Sequence, residues 1–270
     1  MDYKRFSLFC DLEKVLLNDR TEPSQEDREA VERFTAAGGL FGVIAEFSPC
    51  TVRPLLHDVP TNTWSVVLGG AEAYRFDNRT VAFPRVVSQL SMAAFLRQVM
   101  DDLEDVSILL YSESRLFCLT DPRLLDQRFL HGKPPYDVVG LETALRFPWL
   151  GVRFFGADDS LRALEDAAAD WGIYDLADCV HDDPGTSYFV PHGASKSRCI
   201  GDIRCQDELR ERKMVILGSR SSDIKALSLA DISVAAPDAS PEVKEAVSFR
   251  IPDTEPNPLR YVIDELLPTL

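Results

Sequence analysis

The sequence predicts an α/β protein: one parallel-sheet domain assembled from both ends of the chain, with a second, α+β domain inserted between them. Three observations predict it. Short apolar runs near both termini, such as Phe6 to Cys10 and Met214 to Leu217, stop abruptly at polar turns, as buried parallel strands do. Helical stripes alternate with these runs, which is the rhythm of βα units. That rhythm breaks near residue 80 and resumes near Lys196, which places residues 1–82 and 187–270 in the first domain and 83–186 in the insert.

The first strand, Phe6 to Cys10, ends at a polar turn. Ser24 with Asp27 three residues on resembles a capping box, and Ala30, Val31 and Phe34 give the following helix an apolar stripe that Gly38-Gly39 ends. Leu40 to Ala45 is a second buried strand, and a short helix follows around Thr51 to Leu56. Trp64 to Leu68 is a third strand, closed by Gly69-Gly70.

At the entry to the insert, Ala73 to Phe76 and Thr80 to Phe83 form a hairpin around Asp77-Asn78. Leu90, Ala93, Leu96, Val99, Met100 and Leu103 fall on one face of the next helix. Short strands at Val106 to Leu110 and Arg115 to Leu119 follow, then a polar, proline-containing stretch from Asp121 to Asp137. A strand near Val152 to Phe155 and a helix from Ser160 to about Trp171 come next. Asp182-Asp183-Pro184-Gly185 is a turn, and a strand at Ser187 to Val190 leads back out.

The final third returns to βα alternation. Helices are expected over Cys199 to Arg210, Ser222 to Leu229, Pro241 to Val247 and Pro258 to Leu267. Strands are expected at Met214 to Leu217, Ile232 to Ala235 and Phe249 to Ile251.

Composition narrows the function classes. Of 270 residues, 45% are hydrophobic and 27% charged, the proportions of a soluble globular chain. A net charge of −15 argues against nucleic acid and against anionic membranes, since both select a basic face. No apolar run approaches the roughly 18 residues of a membrane span. A strand-like segment beginning at Phe6 leaves no room for a signal peptide, so a cytoplasmic location is expected.

The six cysteines, Cys10, Cys50, Cys118, Cys179, Cys199 and Cys205, are scattered without a CxxC pair and read as small, buried or half-buried residues. Cys199-Ile-Gly-Asp-Ile-Arg204 falls one residue short of a cysteine-phosphatase loop and lacks its glycines. His57, His131, His181 and His192 share no helical HxxxH spacing, so a histidine metal site finds no support.

In an open parallel sheet, ligands bind beyond the carboxyl ends of the strands. Those ends carry Asp11 and Glu13 after the first strand, Glu46 after the second, and Ser219 to Asp223 after the strand at Met214. A carboxylate fixed at a strand end suits an anchored nucleophile.

These residues resemble a family. Asp11-Leu12-Glu13-Lys14-Val15-Leu16-Leu17 is similar to the D-x-D-G-T-L-L signature of the haloacid dehalogenase superfamily of phosphatases, and Pro191-His192-Gly193-Ala194-Ser195-Lys196 resembles its lysine motif in the Cof-type branch. Gly218-Ser219-Arg220-Ser221-Ser222-Asp223-Ile224-Lys225-Ala226-Leu227 fits the G-D-x-x-N-D-x-x-M-L segment in frame. The stretch from Ala230 to Val247 follows the tail of that branch. The resemblance implies a Rossmann-like core with an inserted cap domain, and Mg²⁺-dependent phosphomonoester hydrolysis through an aspartyl phosphate. It assigns the nucleophile to Asp11, the general acid and a main-chain Mg²⁺ ligand to Glu13, and charge neutralisation of nucleophile and phosphate to Lys196. Asp11, Glu13, Ser219 and Asp223 occupy its metal positions, and Glu46 and Lys196 its phosphate positions.

Departures from the pattern carry equal information. Ser219 stands where the family has a Mg²⁺-binding aspartate, Ser222 replaces its asparagine, and Lys14 and Val15 replace the glycine and threonine of the first loop. Glu46 stands where a phosphate-binding threonine or serine ends the second strand. A carboxylate about 4 Å from a phosphate costs on the order of 4 kcal/mol at an effective dielectric near 20.

Three readings follow. The chain is a degenerate phosphatase, a binding or regulatory protein with weak or absent hydrolysis. Alternatively it is a working Mg²⁺-dependent phosphatase for small phosphorylated metabolites such as sugar phosphates, with Glu13 as acid and Asp223 taking over a metal position. In the third, metal-free reading the Lys14 ammonium fills the cation site.

Overall fold

The computed structural model describes residues 2–18, 20–112, 115–125, 135–181 and 184–270. His131, Asp182, Asp183 and residues 126–134 of the polar stretch lie outside the described residues. The strands in chain order begin with β1 (Phe6–Asp11), β2 (Leu40–Ile44), β3 (Trp64–Val67), β4 (Glu72–Arg75) and β5 (Val81–Ala82). Next come β6 (Ser107–Tyr111), β7 (Leu116–Cys118), β8 (Tyr136–Val138), β9 (Gly151–Phe155), β10 (Ala177–Val180) and β11 (Thr186–Pro191). The last are β12 (Lys213–Gly218), β13 (Ile232–Ala235) and β14 (Phe249–Arg250). Two compact units result: Met1–Phe47, Val52–Phe83 and Ser195–Leu270 form the first, and Ser48–Thr51 with Pro84–Ala194 the second.

The first unit holds one sheet in the order β14-β13-β12-β1-β2-β3-β4-β5. Pairing is parallel from β14 to β3 and antiparallel through the β3–β4–β5 hairpins. β1 is buried along its whole length, which explains its near-continuous apolar run. Register then decides what meets at its carboxyl end. Asp11 lies level with Ile44 on β2, and Cys10 level with Leu217 on β12, so Glu46 and Ser219 emerge beside Asp11.

Among the helices, α1 (Gln25–Ala36) begins as its sequence suggests, with Ser24 Oγ accepting the Asp27 amide at 3.1 Å. The reciprocal half of the capping box is replaced: Asp27 Oδ1 accepts the amide of Arg260 at 2.8 Å. α2 is Pro49–Leu55. In the second unit α3 is Gln89–Asp102, α4 Leu141–Ala144 and α5 Asp158–Asp170.

The helix expected over Cys199 to Arg210 is two helices, α6 (Lys196–Arg204) and α7 (Asp207–Arg210). α6 starts earlier than expected because Ser195 caps it, its Oγ accepting the Arg198 amide at 3.2 Å. The helix expected from Ser222 is a tight turn over Ser221–Asp223 leading into α8 (Ile224–Leu227). α9 is Pro241–Ala246, and α10 (Pro258–Tyr261) widens into a broader turn over Val262–Leu266. Among the described residues no helix is long and apolar enough to cross a membrane.

The second unit has a sheet in the order β10-β11-β9-β6-β7-β8, antiparallel except for β7–β8. Its core gathers Met92, Phe95, Leu96 and Val99 of α3 and Leu164 and Ala168 of α5 against Phe154, Phe189 and Trp149. Three expectations are corrected here. β11 pairs with β9 and β10, so the segment placed in the core from residue 187 belongs to this unit as far as Ala194. Leu90 is 86% exposed in the first turn of α3, and Met92 and Phe95 supply the packing instead. β8 and β10 form where no strand was expected, β8 at the far end of the polar stretch.

Candidate active site

Asp11 ends β1 and caps the single wide turn that follows, Leu12–Leu16: its Oδ1 accepts the Lys14 amide at 2.7 Å. Its Oδ2 is buried without a hydrogen bond among the described residues and lies 3.5 Å from the Lys196 ammonium. Glu13 Oε1 accepts the amide of Glu46 at 3.0 Å, while its Oε2 is enclosed without a hydrogen-bond partner among the described residues. Lys14 is half-buried.

Lys196 opens α6 and is only 5% exposed. Its Nζ sits 2.8 Å from Glu46 Oε1 and 2.8 Å from Asp223 Oδ1, so three carboxylates surround one ammonium. Asp223 Oδ2 accepts the amides of Ser219 at 3.0 Å and Arg220 at 3.1 Å. Ser219 is buried, and its Oγ makes no hydrogen bond among the described residues.

Gly70 holds the lysine in place. It follows β3 with φ of 100°, and a Cβ there would stand 2.2 Å from the Ser195 carbonyl carbon and 2.6 Å from the Lys196 nitrogen. Only a residue without a side chain lets the backbone that closes β3 touch the start of α6. Gly70→Ala should therefore lower stability by about 1–3 kcal/mol, read as a lower urea midpoint; an unchanged midpoint would count against this positioning.

The electrostatics follow from burial and distance. Burial alone would drive Lys196 toward neutrality, but Glu46, Asp223 and Asp11 outweigh it and hold its pKa well above the ordinary lysine value. Burial also pushes Asp223 up, yet the Lys196 charge and hydrogen bond and the two amides carry it below the usual carboxylate value. Asp11 goes the opposite way, raised by burial and by Asp223 against the pull of Lys196. The difference is geometric: Asp223 is at hydrogen-bond distance from the ammonium, and Asp11 is not.

Glu13 is pushed to about 8 by burial first and by the charges of Asp11 and Glu46 next. It therefore keeps its proton at neutral pH in the folded chain but loses it near 4.5 when unfolded. Because the native state binds the extra proton, stability falls as pH rises through that interval. The melting temperature should decline between about pH 6.5 and 8, above the range of Asp27, which burial raises to about 6, and level off beyond it. Glu13→Gln should flatten the decline, and a flat parent profile would remove the assignment.

The donor set has a further consequence for Mg²⁺. That ion favours octahedral oxygen ligation with one or two carboxylates. Both Asp223 oxygens are already engaged, and Ser219 offers a neutral hydroxyl. Among the described residues, no three acidic groups here bring ligand oxygens within 4.8 Å of one another. The Arg220 charge also bears on Asp11.

All six expected site residues, Asp11, Glu13, Glu46, Lys196, Ser219 and Asp223, lie in the first unit. Lys196 joins Asp11, Glu46 and Asp223; Glu13 reaches the backbone of Glu46; Ser219 reaches Asp223 through its amide. Sequence reasoning missed Arg220, which falls on a variable position of the motif, and read Gly70 only as the end of a strand.

The sequence profile of the haloacid dehalogenase-like hydrolase family matches residues 8–263. Among solved structures, a haloacid dehalogenase-like hydrolase from Bacteroides thetaiotaomicron superposes with a TM-score of 0.84 at 16% identity, covering 96% of this chain and 98% of that one. A protein from Thermotoga maritima gives 0.83 at 18%, with 96% of each chain covered. A subclass IIB sugar phosphatase of the superfamily gives 0.71 at 16%, covering 95% and 97%. No curated protein matches the chain. The profile match spans nearly all of the sequence, and the Rossmann-like architecture agrees with it: this chain belongs to the haloacid dehalogenase-like hydrolases.

Proposed function

We propose that this hydrolase-family chain is a binding or regulatory protein on a phosphatase frame, with phosphomonoester hydrolysis weakened or lost. The observation that carries this reading is the 2.8 Å pair between Lys196 and Glu46. The ammonium that a phosphate would need is taken by a carboxylate of the chain itself, at the position where the family pattern has a neutral hydroxyl. The engaged Asp223 and the neutral Ser219 do not fit a firmly held Mg²⁺, so no step is assigned to the ion. The family's ligand class is a small phosphorylated metabolite, which this site would hold only weakly against Glu46; the −15 net charge disfavours nucleic acid and anionic membranes.

The test is turnover. Purified protein with p-nitrophenyl phosphate and a panel of sugar phosphates, with Mg²⁺ at millimolar concentration, should show no more than trace hydrolysis. Turnover that depends on Mg²⁺ and disappears in Asp11→Asn would overturn the proposal.

One observation favours a second reading, a working phosphatase. Glu13 is protonated at neutral pH, which is the state a general acid needs, and Asp11 Oδ2 accepts no hydrogen bond. In that reaction Oδ2 attacks phosphorus, the bond to the leaving alcohol breaks, and Glu13 gives that oxygen its proton. Water then cleaves the aspartyl phosphate, returning a proton to Glu13. The subclass IIB sugar phosphatase among the similar structures makes sugar phosphates the substrates to try first. Calorimetry showing no heat of Mg²⁺ binding at millimolar concentration would count against it.

A further inference from the structure

A second cluster of donor side chains lies in the other unit. Among the described residues β10 is an edge strand paired only with β11, and its register sets Cys179 opposite Phe189 and Val180 opposite Tyr188. Continuing that ladder by one step brings His181 level with Ser187. Residues two apart on a strand share a face, so Cys179 and His181 lie on the side of Phe189. Phe189 packs in the core with α3 and α5, which makes this the helix-covered side.

Glu165 comes down from α5, one turn from Leu161 and three residues before Ala168, at the margin of that helix's buried stripe. Its Oε1 accepts the Ser187 hydroxyl at 2.7 Å and stands 3.5 Å from His181 Nδ1. One donor atom each from Glu165, Cys179 and His181 lie within 4.8 Å of one another. Donors held at 2.0–2.3 Å around a tetrahedral ion lie about 3.5 Å apart, so small side-chain rotations close the set.

We propose that Glu165, Cys179 and His181 bind one divalent cation of the zinc class, leaving a fourth position open to solvent. The donor chemistry selects the metal. Thiolate, imidazole and carboxylate together suit Zn²⁺, whereas Mg²⁺ and Ca²⁺ take oxygen ligands. Ser187 supplies the outer hydrogen bond that orients the carboxylate, a role that metal sites commonly give to a neighbouring hydroxyl or carbonyl. Glu165 and His181, though not Cys179, also line a cleft of about 520 Å³ together with Arg162, Thr186 and Ser187, and the fourth position is assigned to that side. Water or a small anion fits there as the fourth ligand. Helical HxxxH spacing does not capture Cys179-x-His181, whose period is that of a strand.

The test uses the full chain, stripped with chelator and kept in a phosphine reductant that does not bind metals. Titration with Co²⁺ should saturate at one equivalent, with a thiolate charge-transfer band in the near ultraviolet and the visible bands of a four-coordinate ion, all displaced by Zn²⁺. Cys179→Ser should abolish the charge-transfer band and weaken Zn²⁺ binding by about 100-fold or more, and Ser187→Ala by about tenfold. His181 is 54% exposed, so His181→Ala leaves the core intact and should give the same loss as Cys179→Ser. Absence of a thiolate band would overturn the proposal, as would a band that survives Cys179→Ser or depends instead on the exposed Cys205.

Discussion

Glu46→Thr should bind inorganic phosphate or tungstate roughly a thousandfold more tightly than the parent chain. In the parent, Glu46 holds the Lys196 ammonium at 2.8 Å, so an incoming dianion meets a carboxylate where it needs a cation. Removing a like charge about 4 Å away recovers on the order of 4 kcal/mol at an effective dielectric near 20, and the threonine hydroxyl adds a donor. Lys196 would keep Asp223 and Asp11 as partners, so the ammonium remains charged and in place. Calorimetric titration of both proteins at matched ionic strength measures the change. A gain below tenfold would mean that Glu46 is not what excludes the anion.

Lys196→Met should cost about 3–5 kcal/mol of stability at neutral pH. The substitution leaves Asp11, Glu46 and Asp223 buried without the ammonium that serves all three. Uncompensated buried charge is far more costly than the loss of an exposed ion pair. Two companion measurements separate this cause from simple loss of packing. Acidification toward pH 5 should restore part of the stability, as carboxylates whose pKa has risen take up protons. Adding Glu46→Met to Lys196→Met should also restore part of it, giving a non-additive pair. A loss under about 1 kcal/mol, or one indifferent to pH, would remove the central place given to the lysine.

Much of the fold was legible because parallel strands are buried on both faces and announce themselves as apolar runs ending in charge. Phe6 to Asp11 is of this kind and ends in an acid, and Lys213 to Gly218 is an apolar run followed by the polar turn Ser219 to Asp223. What a strand does not announce is its sheet. β11 is as fully buried as β1 yet belongs to the second unit, since its partners are set by β9 and β10 rather than by its own residues. Helical periodicity names a face but not which turn of it is covered, so Leu90 fits the pattern and stands in solvent.

The site was legible as residue types at strand ends and, through the family motif, as a lysine brought from elsewhere. Its pairings were not. That Lys196 reaches Glu46 depends on the register of β1 against β2 and on the backbone contact at Gly70, neither of which local sequence encodes. The Arg220 charge bears on Asp11 for the same reason, through the turn that Asp223 organises.

The central strand of the first unit borrows one neighbour from the last third of the chain. A ribosome therefore releases Phe6–Asp11 with an open hydrogen-bonding edge, and the whole second unit is made before Lys213–Gly218 arrives to cover it. Nascent or prematurely terminated chains expose an apolar strand edge of the kind that recruits other chains. Assembly is also slowed, since a long segment must be looped out before the sheet can join across its middle. Chains cut after Ala194 should accumulate as aggregate, whereas a circular permutant that makes the two halves of this unit contiguous should refold faster than the natural order.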